Sequence, residues 1–292
     1  MRELSCFGEA SVSVAAESGR GALDRALQAA TTSVYTAVLS SGKAVLVRIT
    51  WTRTAAGAPG VAVAFDDGGG GAGCQQQQVV LRKRRGSRAL VTAAGTAVRV
   101  HWDTADARYA TSSPEPEREY GLAVVAEAEP ELVLLLGAGG AARELSRRLG
   151  LGAGATGARL VSRREQLRGA AAAHVTRCRF REGGGEHEVA VRACRAGDGE
   201  LRVCIDGEDV AVVRRVGWGF RGNHAAVLGD GEVVDVMWDV HDWWFGGRGA
   251  GAQFMVKARA EKEGRLWMAD EAAAASGQSP GGFFLHVQCY RR

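Results

Sequence analysis

Proline is scarce in this chain, 5 of 292 residues, and no apolar run approaches the ~18 residues a membrane-spanning helix needs, the longest being Leu132 to Ala138. A spanning helix is excluded. Charge of one sign is lacking too, since 37 basic against 33 acidic residues leave a formal +4, too little to mark the whole chain as a nucleic-acid binder. The six cysteines (Cys6, Cys74, Cys178, Cys194, Cys204, Cys289) form no C-x-x-C pair. That removes zinc knuckles and redox dithiols and leaves reduced thiols as the expectation. The opening MRELSCFGEASVSVAAESG holds three glutamates and no basic stretch followed by an apolar one. It reads as neither a secretory nor a transit signal, and the expected compartment is the cytoplasm or nucleus. No P-loop and no G-x-S-x-G elbow occurs, and histidines 101, 174, 187, 224, 241 and 286 show no ligand spacing. The chain is expected to have no catalytic residue, no metal and no cofactor, which leans away from an enzyme.

Glycine, in contrast, is abundant at 41 residues, clustered between short Val-rich runs in the manner of strands joined by hairpins, and the Asp-Gly pairs at 206–207 and 230–231 mark hairpin turns. Hydrophobic residues at 46% are enough for a core. Sliding the sequence against itself lays RGSRALVTAAGTAVRVHWDTADARY (85–109) over RGNHAAVLGDGEVVDVMWDVHDWWF (221–245). The shared positions include Arg85/Arg221, Gly86/Gly222, Gly95/Gly231, Trp102/Trp238 and Asp103/Asp239. An ungapped match of this kind indicates an internal duplication. Val45, Val47, Ile49 and Trp51, then Val61, Val63 and Phe65, then Val98, Val100 and Trp102 alternate with the period of a half-buried strand. Val189 and Val191, then Leu201, Val203 and Ile205, then Val234, Val236 and Trp238 repeat the pattern. The fold class read from this is all-β and mainly antiparallel, two similar sandwich-like or barrel-like modules joined by a short helical connector. The expected divisions are a partly disordered arm over 1–30, a first module over 31–138, a basic helical connector over 139–172 and a second module over 173–292. Trp102 and Trp238 are expected to be buried against the valine pairs before them. Asp103 and Asp239 are expected to accept N–H groups of the turns that follow.

Three stretches carry possible chemistry. ELVLLLGAGGAARELSRRLG (131–150) imitates the strand, glycine turn and helix of a dinucleotide-binding unit. Gly137, Gly139 and Ala142 would form the turn, and Ser162 and Arg163 would meet a 2′-phosphate, which gives an NADP-dependent oxidoreductase as one alternative. No further strand–helix alternation follows, and a lone unit of this kind builds no cofactor crevice. Arginines 143, 147, 148, 159, 163, 164 and 168, against Glu144 and Glu165, concentrate the basic surplus in one segment. A nucleic-acid or phosphate strip is the second alternative, weakened by the absence of interleaved aromatics. His241-Asp242 resembles a metal-binding dipeptide but has no companion ligands in sequence. Five of the seven tryptophans (218, 238, 243, 244, 267) fall in the second module, and WDVHDWW (238–244) places aromatics on both sides of the chain. Trp243, Trp244, Arg163 and Arg164 form the candidate interaction surface. The leading expectation is a non-enzymatic binding module for a protein or small molecule, with neither membrane nor nucleic acid as partner.

ARLVSRRE (158–165), RCRFREGGGEHEVAVRA (177–193), RRVGWGFRGN (214–223), VDVMWDVHDWWF (234–245) and FMVKA (254–258) recur in order with SSGKAVLVRITW (40–51) and SSPEPEREYGLAVVAE (112–127). Together they resemble the plant family catalogued as domain of unknown function 868, from about Ser33 onward. The resemblance implies a plant protein and carries no activity, substrate, cofactor or catalytic residue with it. The glycine-rich 67–73 loop and the GAGGAA stretch depart from the family pattern.

Overall fold

In the first half of the chain β-branched residues are placed so that alternate positions fall on one face, and strands follow wherever that alternation runs uninterrupted. The computed structural model describes residues 27–53, 59–67, 78–110, 113–128, 130–150, 157–168, 172–247, 249–259 and 283–290. Most of the arm expected over 1–30 lies outside them. Four strands form a meander, β1 (Leu27–Val38), β2 (Ala44–Arg53), β3 (Pro59–Asp66) and β4 (Gln78–Val80). A second group follows with β5 (Arg85–Val91), β6 (Ala97–Asp103), the small pair β7 (Arg108–Tyr109) and β8 (Pro116–Arg118), then β9 (Tyr120–Ala126) and β10 (Glu131–Ala138). Its main sheet has the order β10-β9-β6-β5. Val45, Val47, Ile49 and Trp51 of β2 meet Val98, Val100 and Trp102 of β6 in one buried cluster. Each such side chain contributes roughly 1.5–3 kcal/mol on leaving water.

After helix α1 (Gly139–Arg148) comes β11 (Arg159–Arg168), and then the same arrangement recurs. β12 (Ala172–Cys178), β13 (His187–Cys194), β14 (Glu200–Ile205) and β15 (Glu208–Val213) form a meander. β16 (Arg221–Val227), β17 (Val233–Asp239), the short helix α2 (His241–Phe245), β18 (Gly251–Ala258) and β19 (Phe284–Tyr290) supply the opposing strands. Val189, Val191, Leu201, Val203 and Ile205 pack against Val234, Val236, Phe254 and Leu285 in a second core. Registers correspond closely: Val98 faces Ala126 and Trp102 faces Leu122 in one half, and Val234 faces Ala258 and Trp238 faces Phe254 in the other. The expected Asp-Gly turn joins β14 to β15. Asp206 and Gly207 both have positive φ, 52° and 84°, which matches the right-handed twist of a two-residue hairpin.

The chain is therefore mostly β with antiparallel-rich sheets. Among the described residues no sheet closes into a barrel. The two halves are joined more intimately than by a connector. Among the described residues of the segment expected as helical over 139–172, only Gly139–Arg148 is a helix, and Leu145 buries it against the first half. Arg159–Arg168 is instead a strand at the middle of a nine-stranded sheet, β16-β17-β18-β19-β11-β1-β2-β3-β4. It pairs antiparallel with β1 and parallel with β19, so one sheet runs through both halves.

The two repeated tryptophans differ from expectation in where their rings rest. Trp102 reaches across to Gly86 and Trp238 to Gly222, where a Cβ atom would stand 2.7 and 2.3 Å from the indole. Only glycine leaves room for that crossing. Trp102 is buried as expected, but Trp238 is half-buried. Each indole N–H donates to a backbone carbonyl at the corner before the preceding strand, Lys83 O at 2.7 Å and Gly219 O at 2.9 Å. Beside them Arg85 binds Asp103 and Arg221 binds Asp239, both at 2.8 Å. Asp103 also accepts the N–H of Ala105 and Asp239 that of His241, the turn role expected of them.

Candidate recognition surface

The strand–turn–helix that imitates a dinucleotide site is built for another purpose. β10 pairs antiparallel with β9, whereas β11 belongs to the nine-stranded sheet, so 132–162 forms no parallel βαβ unit. At Gly137 a Cβ would sit 2.3 Å from the carbonyl oxygen of Tyr120, and at Gly139 it would sit 2.3 Å from the Glu119 carboxylate. Glu119, itself at φ 53°, accepts the N–H of Gly140 at 2.8 Å. The helix start thus already holds an internal anion in the place where a pyrophosphate would bind. Ala142 packs in the same junction beside Gly121 and Gly137. Ser162 and Arg163 lie in the other sheet and do not join these residues.

The arginines expected as one strip are dispersed. Arg143, Arg147 and Arg148 are exposed on α1, with Arg147 paired to Glu144 at 2.8 Å. Arg163 and Arg164 are neighbours on a strand and so project from opposite faces of the sheet. Arg163 belongs to a polar seam between the two cores. Its guanidinium binds Glu115 of the first half at 2.7 Å and Glu165 at 2.6 Å. Glu165 is also bonded by His174 of β12 at 2.6 Å and by the Thr176 hydroxyl at 2.9 Å. Burial alone would raise the Glu165 pKa, but the His174 hydrogen bond and the Arg163 charge more than offset it and hold the carboxyl down to about 2. Tyr35, nearby on β1, is pushed up to about 12 by burial. A network of this kind rivets β11 to both halves, with Arg163, Glu115, Glu165 and His174 each committed to a neighbour.

The expected surface of Trp243, Trp244, Arg163 and Arg164 does not assemble either. Trp243 is 3% exposed and belongs to the second core. Trp244 is half-buried, its ring over Gly199 and Gly217, and Arg195 stacks over both indoles at 5.7 and 5.5 Å. The exposed aromatic lies elsewhere. Trp218 is 90% exposed at the tip of the β15–β16 connection, and Phe245 of α2 is 57% exposed. The pedestal is firm. Trp218 and Gly219 both donate their N–H to Arg215 O at 3.0 Å, Val216 donates to Asp198 O at 3.1 Å, and the Val216 side chain is fully buried. Phe220, His241 and Phe245 form a ring cluster with centroids 5.1 to 5.6 Å apart. His241-Asp242 is thus an aromatic-cluster residue bonded to its neighbour at 2.9 Å. No group of three or more metal-ligating side chains occurs among the described residues. Arg195, Arg214 and Arg215 are exposed around this corner, making it cationic as well as aromatic.

A model for a family of plant proteins of unknown function (DUF868) matches residues 26–289. The chain belongs to this family. Comparison with curated proteins and with solved structures finds no match. The DUF868 region takes in both halves, the polar seam and the aromatic corner. No helix among the described residues is long and apolar enough to cross a membrane.

Within this DUF868 fold, the sequence signal for the corner is the string RRVGWGF (214–220), a tryptophan set between two glycines in a strand connection. The density of tryptophan in WDVHDWW draws attention away from it. Exposure follows from the tight turn rather than from composition, so counting aromatics points to the wrong ones.

Proposed function

We propose that this DUF868 chain is a non-enzymatic protein-interaction module that docks a partner through the Trp218 corner. The observation that carries the reading is the 90% exposure of Trp218 on a turn already fixed by backbone hydrogen bonds. An indole held in water loses the area it would bury, and burying ~150–250 Å² of aromatic surface is what makes tryptophan a frequent binding hot spot. Because the turn is preformed, little ordering entropy opposes docking. Phe245 widens the apolar face, and the surrounding arginines suit an acidic rim on the partner.

The halves also read as copies of one eight-stranded unit. That reading is supported by the sequence match at 85–109 and 221–245 and by the equivalent Arg–Gly–Trp–Asp contacts in each. On it, the second copy was free to diverge at its corner while the first kept the fold. The test is a photo-crosslinking side chain at position 215 in full-length protein, exposed to plant extract with and without Trp218→Ala. A discrete crosslinked partner that vanishes with the substitution supports the docking role. Identical crosslinks from both proteins overturn it.

A further inference from the structure

The opposite end of the second half holds a cavity of about 620 Å³, inside the ~300–1,000 Å³ range of small-molecule sites. It opens where β12 parts from β18 and β19, beside the start of β11. Its floor is apolar: Leu160, the Cys178 thiol, Phe180, Ala258 and Phe283, of which all but Leu160 are buried. Its rim is cationic and partly fixed. Arg181 is held by Glu232 at 2.7 Å and Arg259 by the Asp235 carboxylate, so these two are committed to neighbours. Arg159 and Arg179 carry no acidic partner among the described residues. Arg159 is half-buried against the floor, whereas the remaining rim carboxylates, Glu182 and Glu186, are exposed to water. An arginine half-buried beside an apolar cavity, with no acidic partner among the described residues, is matched best by a ligand anion.

We propose that this cavity binds an amphipathic monoanion, an apolar tail with one carboxylate or comparable acidic head, with the tail on Phe180 and Phe283 and the head on Arg159. The site is separate from the Trp218 corner and does not rest on its role.

The experiment titrates full-length protein with dansyl-undecanoate, followed by fluorescence, and displaces it with decanoate, decylammonium or acetate below their micellar concentrations. Saturable binding is expected. Decanoate should displace about tenfold better than decylammonium, as a charge-assisted hydrogen bond to arginine requires, and acetate should not displace. Arg159→Gln, its folding checked by the midpoint of denaturant unfolding, should abolish the preference for decanoate while retaining tail binding. Decanoate should also slow alkylation of Cys178, mapped by peptide mass, and leave Cys204 unchanged. No saturable binding, equal displacement by the two tails, an unaltered preference in Arg159→Gln, or an unprotected Cys178 would each overturn the proposal.

Discussion

The corners before β5 and β16 share one set of side-chain contacts and carry opposite surfaces. In both, the repeated tryptophan sends its indole N–H to a corner carbonyl, Lys83 or Gly219, and crosses a glycine of the adjacent strand. In both, an arginine binds the aspartate that ends the next strand. Yet where the second corner lifts Trp218 into water beside Phe220, the first carries Arg82, Lys83 and Arg84, all exposed. The contacts that tie each corner to the adjacent strands are shared, and the groups that point away from it differ.

Four predictions probe that comparison. The largest effect lies in the seam, which has no counterpart inside either half. Glu165→Gln should cost about 3–5 kcal/mol, because Arg163 and His174 would lose the buried carboxylate they share, with only Glu115 left to answer the Arg163 charge. The wild-type contribution has a pH signature. Its carboxyl is held at about 2 in the fold against an ordinary value of 4.5. The stabilisation is fully present above about 4.5 and is lost as pH falls through that window toward 2. Denaturant melts of both proteins between neutral and acid pH measure it; a substitution that leaves the acid limb unchanged would remove the seam from the account.

If the corners are equivalent, Trp102→Ala and Trp238→Ala should both destabilise, the buried Trp102 by about 3–5 kcal/mol and the half-buried Trp238 by less. Equal losses in chemical denaturation would mean that the difference in burial is immaterial. Asp103→Ala and Asp239→Ala should each cost about 1 kcal/mol, since their arginine partners are about three-fifths exposed and only the turn N–H bond is sheltered. The smallest effect is expected at the tips. Trp218→Ala and Arg82→Ala should each change the unfolding free energy by less than about 0.5 kcal/mol, as surface changes do. A larger loss at Trp218 would make its indole part of the fold and unmake the docking reading.

Much of this was legible in the sequence. Alternation marked the strands, Asp206-Gly207 marked a hairpin, and the match of Arg85, Gly86, Trp102 and Asp103 to their partners marked a shared contact set. β11 was not legible as a strand. Its run RLVSRREQLR places Arg163 and Glu165 on the same face as Leu167 and Arg164 on the other, so the apolar alternation is broken, because that face carries the polar seam before it reaches the second core at Leu167. The Trp218 corner escaped because exposure is decided by turn geometry. The glycines of 137–140 imitate a cofactor turn for a related reason, since the anion they approach is the protein's own Glu119.

The parallel pairing of β11 with β19 also sets an order of events for a chain made from its N-terminus. The first meander can form as soon as β4 has emerged, and β11 can then add to β1. The far edge of β11 stays open until β19 arrives, as the Gln166–Gln288 hydrogen bond spans 122 residues of sequence. An open strand edge is a template for pairing with other chains, and distant pairings form late. The arginines of β11 serve here as gatekeepers, keeping that edge soluble while the second half is still being synthesised.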